Sequence, residues 1–246
     1  MAAISTVVIP AYNEGSNIIK TIEALAALYA SKINVLVVVD FDNDSTIGHF
    51  NKIEKPKSYK LVVQNYGSGP ANAIRYGIDQ AKTTCVTVMM ADGSDDIRAI
   101  SELSNLVNRG VVVACASRYM SGGQQIGGPR FKKFLSKFAG KTLFVFAGIG
   151  THDPTNSFKS YSRDFLIDVG IESRSGFEIG IELVAKAHRL RLPVAEIPTI
   201  WLDRTTGKSN FQVAKWAPKY LRWYFYCFGP KLNSIQFNQT MIRSSK

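Results

Sequence analysis

Apolar residues fall in short runs along the first half of the chain, and polar clusters punctuate them. TVVIP (6–10) and NVLVVVD (34–40) are nearly unbroken β-branched runs, the pattern of strands buried on both faces of a parallel sheet. KLVVQ (60–64), CVTVMMAD (85–92) and VVVACASR (111–118) repeat it. Between them, segments 15–30, 69–82 and 96–109 change to helical spacing, and in the first of these Ile18, Ile22, Leu25 and Leu28 share one face. Strand and helix in alternation predict an α/β fold: a Rossmann-like, mostly parallel sheet flanked by helices. The second half is less regular. A Gly-rich loop (121–129) leads into a basic helix around 130–146, another helix is expected over 176–190, and a strand over 194–202 precedes a polar loop at 203–211. With no internal repeat or linker, residues 1–211 read as one domain and 212–246 as an aromatic and basic appendage.

Sheets of this kind bind ligands at the carboxyl ends of their strands. Three polar clusters fall there: Pro10 to Glu14, Asp40 to Asp44, and Asp92 to Asp96. In the first, Pro10 stops a strand, Tyr12 offers a flat face for stacking, and Glu14 an acceptor near a helix start. In the second, Asp40, Asp42 and Asp44 are spaced by two, which places them on one side of an extended chain. They suit hydrogen bonds from a base or a ribose better than a calcium loop, because no EF-hand glycine and distal glutamate follow. In the third, Asp92 and Ser94 are hard oxygen donors in a tight turn, suited to Mg²⁺ or Mn²⁺ carrying a diphosphate, with Asp95 or Asp96 capping the next helix. No GxGxxG follows any strand, which argues against a dinucleotide site.

The net charge of +11 is uneven. Residues 1–117 carry 10 basic and 11 acidic side chains, and residues 118–246 carry 20 and 8, so the basic half points to anionic partners. Nucleic acid is disfavoured because no RNP, KH, zinc-finger or helix-turn-helix signature is present. Three cysteines without a CxxC pair argue against a disulfide framework or a zinc site and fit a reducing cytoplasm. No leader-like segment opens the chain, and its apolar runs are shorter than a membrane span requires. The segment Trp216 to Phe228 holds seven aromatic residues with Lys219 and Arg222, suited to packing on the domain, to a homodimer contact or to the headgroup layer of a membrane.

Taken in order, these motifs resemble family 2 glycosyltransferases, and within them the polyprenyl-phosphate sugar synthases of the dolichol-phosphate mannose synthase type, over residues 4–211. The resemblance implies the GT-A fold and an inverting transferase. The donor would be a UDP-, GDP- or dTDP-sugar, with Mg²⁺ or Mn²⁺ as cofactor, and the acceptor a polyprenyl phosphate, at a peripheral membrane surface. VVIPAYNE would hold the nucleotide through Pro10, Tyr12 and Glu14, with Asp40, Asp42 and Ala91 beside it. MADGSDD stands at the DxD-type motif, so Asp92 and Ser94 would face the metal. SRYMSGG and the basic helix supply Arg118, Arg130, Lys132 and Ser136 for the acceptor phosphate. THDPTNSFKSY supplies Asp153, Asn156 and Lys159, and DRTTGKSNF supplies Arg204, Lys208 and Ser209. Arg204 would neutralise the leaving diphosphate. A saccharide hydroxyl as acceptor would need a base, for which Asp153 and Glu182 are candidates, Glu182 having Lys186 one helical turn on as an ordinary ion-pair partner. The chain departs from the family where Met90 occupies the first DxD position, since a thioether is a poor ligand for a hard cation. Lys132 and Lys159 replace arginines and lose the bidentate fork. A non-catalytic nucleotide-sugar binder is the alternative that Met90 motivates.

Overall fold

The computed structural model describes residues 3–174, 176–203 and 213–233. Strands β1 (Thr6–Pro10), β2 (Asn34–Val39), β3 (Tyr59–Val63) and β4 (Cys85–Val88) alternate with helices α1 (Asn17–Tyr29), α2 (Ser45–Lys52) and α3 (Pro70–Gln80). Then come α4 (Ala99–Asn108), β5 (Val113–Ser117), β6 (Gln124–Ile126), α5 (Arg130–Thr142), β7 (Lys159–Ser162), α6 (Arg163–Val169) and α7 (Ile179–Arg189). β8 (Val194–Pro198), β9 (Ile200–Leu202) and α8 (Val213–Tyr226) complete the described elements. The main sheet runs β3-β2-β1-β4-β7-β5-β8. Within it β7 runs antiparallel, between β4 and β5, and β6 pairs with β9 in a small parallel sheet.

The alternation of β-branched residues sorts the core into two layers. Val8, Val38, Val86 and Val88 face one side with Ile74, Ile78 and the apolar residues of α7. Val7, Ile9, Val35, Val37 and Val39 face the other side with Ile18, Ile22, Leu25 and Leu103. Those five strand residues are wholly buried, and each such side chain contributes roughly 1.5–3 kcal/mol of transfer free energy. Leu28, counted on the same face of α1, is exposed near the end of that helix. Covered on both faces, the central strands have their ends open to a ligand.

Five elements lie outside the sequence pattern: α2, β6, β7, α6 and α8. α2 forms because the chain turns after β2 and Asp44 caps the new helix, its side chain accepting from Thr46 N at 2.8 Å. β7 (KSYS) has no apolar run and takes its burial from its place between β4 and β5. α6 follows it at once, with Ser162 as a cap that accepts from Phe165 N. The strand expected over 194–202 is divided at Thr199, with β8 in the main sheet and β9 in the small one. The basic helix ends at Thr142 and continues as a π-helical turn, Leu143–Ala147. Its seat is close: a Cβ on Gly140 would collide with the His152 carbonyl. In α8 and just beyond it, Trp223 and Cys227 are buried in the layer that includes α7, while Leu221, Phe225 and Phe228 are exposed.

Candidate functional site

The loops that follow β2, β1 and β4 lie side by side, because those three strands are neighbours in the sheet. Pro10 is buried as the last residue of β1, paired with Val38. Beyond it Tyr12 is 57% exposed and meets the Phe41 ring edge-on at 5.6 Å, leaving a face open for stacking. The acidic cluster does not present one side. The chain turns, with Asp44 N donating to the Phe41 carbonyl at 3.2 Å, so the three carboxylates diverge. Asp40 accepts from Gln64 Nε2 at 2.8 Å and from Gly69 N at 2.9 Å, holding the loop before α3. Asp42 is exposed. Asp44 accepts from Asn13 N at 2.9 Å, and Thr46 Oγ1 accepts from Glu14 N at 3.1 Å, so α2 fastens the loop that carries Tyr12. Asn13 stands at φ +51° there, a left-handed conformation that asparagine tolerates. The signal for this anchoring role of Asp44 is the D-S-T start of a helix, which the spacing of the three aspartates obscures.

After β4 the chain folds back on itself. Asp95 is buried and accepts from Met90 N at 2.9 Å; it does not cap α4, whose first residues follow Arg98. Burial, with Asp92 nearby, pushes the Asp95 carboxyl up to about 7. Asp96 instead pairs with Arg98 at 2.8 Å. Ala91 is buried, its carbonyl accepting from Thr21 Oγ1 at 2.8 Å. Asp92 accepts from Ser94 N at 3.1 Å, and the buried Ser94 hydroxyl has no hydrogen-bond partner among the described residues.

Asp92 and Ser94 line a cavity of about 630 Å³. It also carries Arg118, Lys132, Ser136 and Asn156, and an apolar wall of Leu135, Phe138, Leu221 and Tyr224 from α5 and α8. Asp203 lines it too, a residue outside the expected set although it opens the DRTTGKSNF segment. Gly127, at φ +80°, lets it approach: a Cβ there would stand 2.8 Å from the Asp203 Cβ. Arg204, Lys208 and Ser209 lie outside the described residues. Tyr12 and Asp42 do not line the cavity; they belong to the adjoining loops.

Arg118 is aimed by Asp153. Its Nε and Nη2 donate to the two carboxylate oxygens at 2.7 and 2.9 Å, and Nη2 also reaches Ser136 Oγ at 3.2 Å. Burial opposes ionisation of Asp153, but the Arg118 guanidinium overrides it and holds the carboxyl below its ordinary range. Asp153, expected as a candidate base, is wholly buried with both oxygens engaged by Arg118, and it does not line the cavity. Glu182 is likewise placed elsewhere. It is wholly buried and accepts from Glu172 N at 2.6 Å, Ser173 N at 2.8 Å and Lys186 Nζ at 2.7 Å, so the ion pair with Lys186 stands but on a buried helix. Lys159 is also wholly buried, donating to the carbonyls of Pro154 and Asn156, and burial lowers its ammonium below the usual lysine range. It braces the 153–156 loop and does not line the cavity. Arg130 is exposed at the start of α5, turned off the cavity by the helical step of roughly 100° per residue that brings Lys132 and Ser136 onto it.

The sequence profile described as glycosyl transferase family 2 matches residues 6–170. The chain belongs to that family. This glycosyltransferase is similar to the polyprenol monophosphomannose synthase of Mycolicibacterium smegmatis, 28% identical over 227 residues that cover 85% of each chain. It is also similar to the dolichol-phosphate mannosyltransferase of Pyrococcus furiosus, 26% identical over 221 residues, which cover 88% of this chain and 61% of that one. Among solved structures, glucosyl-3-phosphoglycerate synthase from Mycobacterium tuberculosis with Mn²⁺, UDP and glucosyl-3-phosphoglycerate matches at TM-score 0.63 and 15% identity, over 92% of this chain and 80% of that one. The same enzyme with Mg²⁺ and UDP matches at TM-score 0.63 and 16% identity, over 92% and 79%. The fold is GT-A.

Proposed function

We propose that the chain transfers a sugar from a nucleotide-sugar donor to the phosphate of a polyprenyl phosphate, with inversion at the anomeric carbon. The observation that carries this is the cavity, whose lining combines acidic and hydroxyl groups, cations and an apolar wall. A donor diphosphate fits the Asp92 end, beside the strand-end loops that offer Tyr12 to the base. A lipid phosphate fits Arg118, Lys132 and Ser136, with its isoprenoid chain along α5 and α8.

The donor atoms fit a divalent cation. Asp92 supplies a carboxylate, Ser94 a buried hydroxyl, and Asp203 lines the same cavity. Among the described residues no group of three His, Cys, Asp or Glu could hold a metal, and Mg²⁺ typically takes one or two carboxylates, with phosphate oxygens and water completing its shell. When bound, Mg²⁺ or Mn²⁺ supplies charge stabilisation for the departing diphosphate. The rest falls to the chain. Arg118, fixed by Asp153, orients the acceptor phosphate, whose oxygen attacks the anomeric carbon as the nucleoside diphosphate leaves from the opposite face. The phosphate is already anionic, so no base is required. That suits a site whose two candidate bases, Asp153 and Glu182, are both fully engaged.

Among the described residues no helix is long and apolar enough to cross a membrane. Phe131, Phe134, Phe146 and Phe225 are each more than 60% exposed, on α5, the turn that extends it, and α8. These rings support peripheral contact with the membrane that holds the acceptor. A thermal-shift screen of UDP-, GDP- and dTDP-sugars, with and without Mn²⁺, tests the donor end. One donor class stabilising the protein only with metal is expected, and equal shifts for all donors without metal would contradict it.

A further inference from the structure

A second cavity, of about 430 Å³, adjoins the first between α5 and the segment that joins β5 to β6. It shares Arg118, Tyr119, Gln125 and Lys133 with the larger cavity, but Lys137 and Gln124 are its own, and Asp92, Lys132 and Ser136 do not reach it. Among the described residues no carboxylate lines it. Arg118 is neutralised by Asp153, so Lys133 and Lys137 set its charge. They stand one helical turn apart, where like charges repel, and no carboxylate among the described residues pairs with either. Lys133 Nζ donates to the Gln125 carbonyl at 2.8 Å, and the Tyr119 hydroxyl donates to Gln125 Oε1 at 2.8 Å. The Gln125 amide nitrogen is thereby left as a donor, and two ammonium groups with an amide give a lining rich in donors. Such a lining complements a phosphate group.

We infer that this annex is a second phosphate-binding subsite, held by Lys133 and Lys137 and separate from the acceptor position at Lys132 and Ser136. It takes a phosphate monoester or diester, and the chemistry is the same whether that group is free or the headgroup of a phospholipid. The exposed Phe134 and Phe138 rings, stacked 6.1 Å apart on the same helix, lie beside this basic side. The inference stands whatever the acceptor of the transfer reaction is.

Limited acylation of the full chain, read lysine by lysine by mass spectrometry, tests it. The arms are buffer alone, inorganic phosphate at matched ionic strength, phosphatidylcholine vesicles, and the same vesicles with phosphatidylglycerol. Labelling of Lys133 and Lys137 is expected to slow roughly tenfold, the effect of one hydrogen bond to a charged group, while exposed Lys141 on the same side of α5 changes little. In Lys137→Gln the protection of Lys133 should be lost. Protection by inorganic phosphate identifies a soluble source, and protection by the anionic vesicles alone a lipid source. Lys133 and Lys137 slowing no more than Lys141 in every arm overturns the subsite, and protection of Lys132 alone would overturn it while leaving the acceptor site intact.

Discussion

At the proposed donor end of the cleft, loops are pinned by hydrogen bonds from backbone N–H groups to aspartate side chains: Gly69 to Asp40, Asn13 to Asp44, Met90 to Asp95. At the proposed acceptor end, Arg118 is held in an ion pair with the wholly buried Asp153, beside an apolar wall. A hydrogen bond is worth about 0.5–3 kcal/mol, the upper part of that range applying to charged partners, whereas removing one partner of a buried ion pair costs about 3–5 kcal/mol. Damage at the acceptor end should therefore appear first as lost stability, and damage at the donor end as lost turnover.

The largest effect on folding is expected for Asp153→Ala, which leaves the Arg118 guanidinium buried without its carboxylate. It should lower the unfolding free energy by about 3–5 kcal/mol in urea titration. Asp92→Ala should leave stability nearly unchanged and cut kcat/KM by roughly 10²–10³, the loss typical of one electrostatic contact to a developing charge. An equal loss of stability in both variants would erase the contrast. Asp44→Ala removes a helix cap and the anchor of the Tyr12 loop, for about 1–2 kcal/mol, and should raise the donor KM more than the acceptor KM.

Two carboxylates sharpen the comparison through pH. Asp153 is depressed in the fold, so its contribution is present above the ordinary carboxylate pKa and is lost as pH falls through its folded value. Asp95 is raised to about 7, so its contribution is present at low pH and is lost as pH climbs toward neutrality. Asp95→Asn keeps an acceptor for Met90 N. In EDTA, the stability of the variant relative to wild type should therefore rise between about pH 4 and pH 7. A constant difference across that range would mean that Asp95 ionises as an ordinary surface acid does.

Much of the fold is legible because buried parallel strands announce themselves as β-branched runs, as in TVVIP and NVLVVV. β7 does not, because Lys159 and Ser160 are polar and become buried only through their neighbours in the sheet. The site is legible by residue type more than by orientation. Asp92, Ser94, Arg118, Lys132, Ser136 and Asn156 do line one cavity, while Lys159 and Glu182 carry the same chemical groups but are turned into the interior. Spacing along a chain cannot report that turn. For Asp40 to Asp44 it misleads, because a helix cap breaks the extended geometry that the count assumes.

A single cleft that joins a sugar-diphosphate end to a lipid-phosphate end is tested most directly by transfer of labelled sugar from the stabilising donor to a polyprenyl phosphate, with the product partitioned between water and organic solvent. Label recovered in the organic phase, and lost when the polyprenyl phosphate is replaced by the corresponding alcohol, is the predicted result. Equal transfer to the alcohol, or label moving only onto water-soluble saccharides, would contradict it.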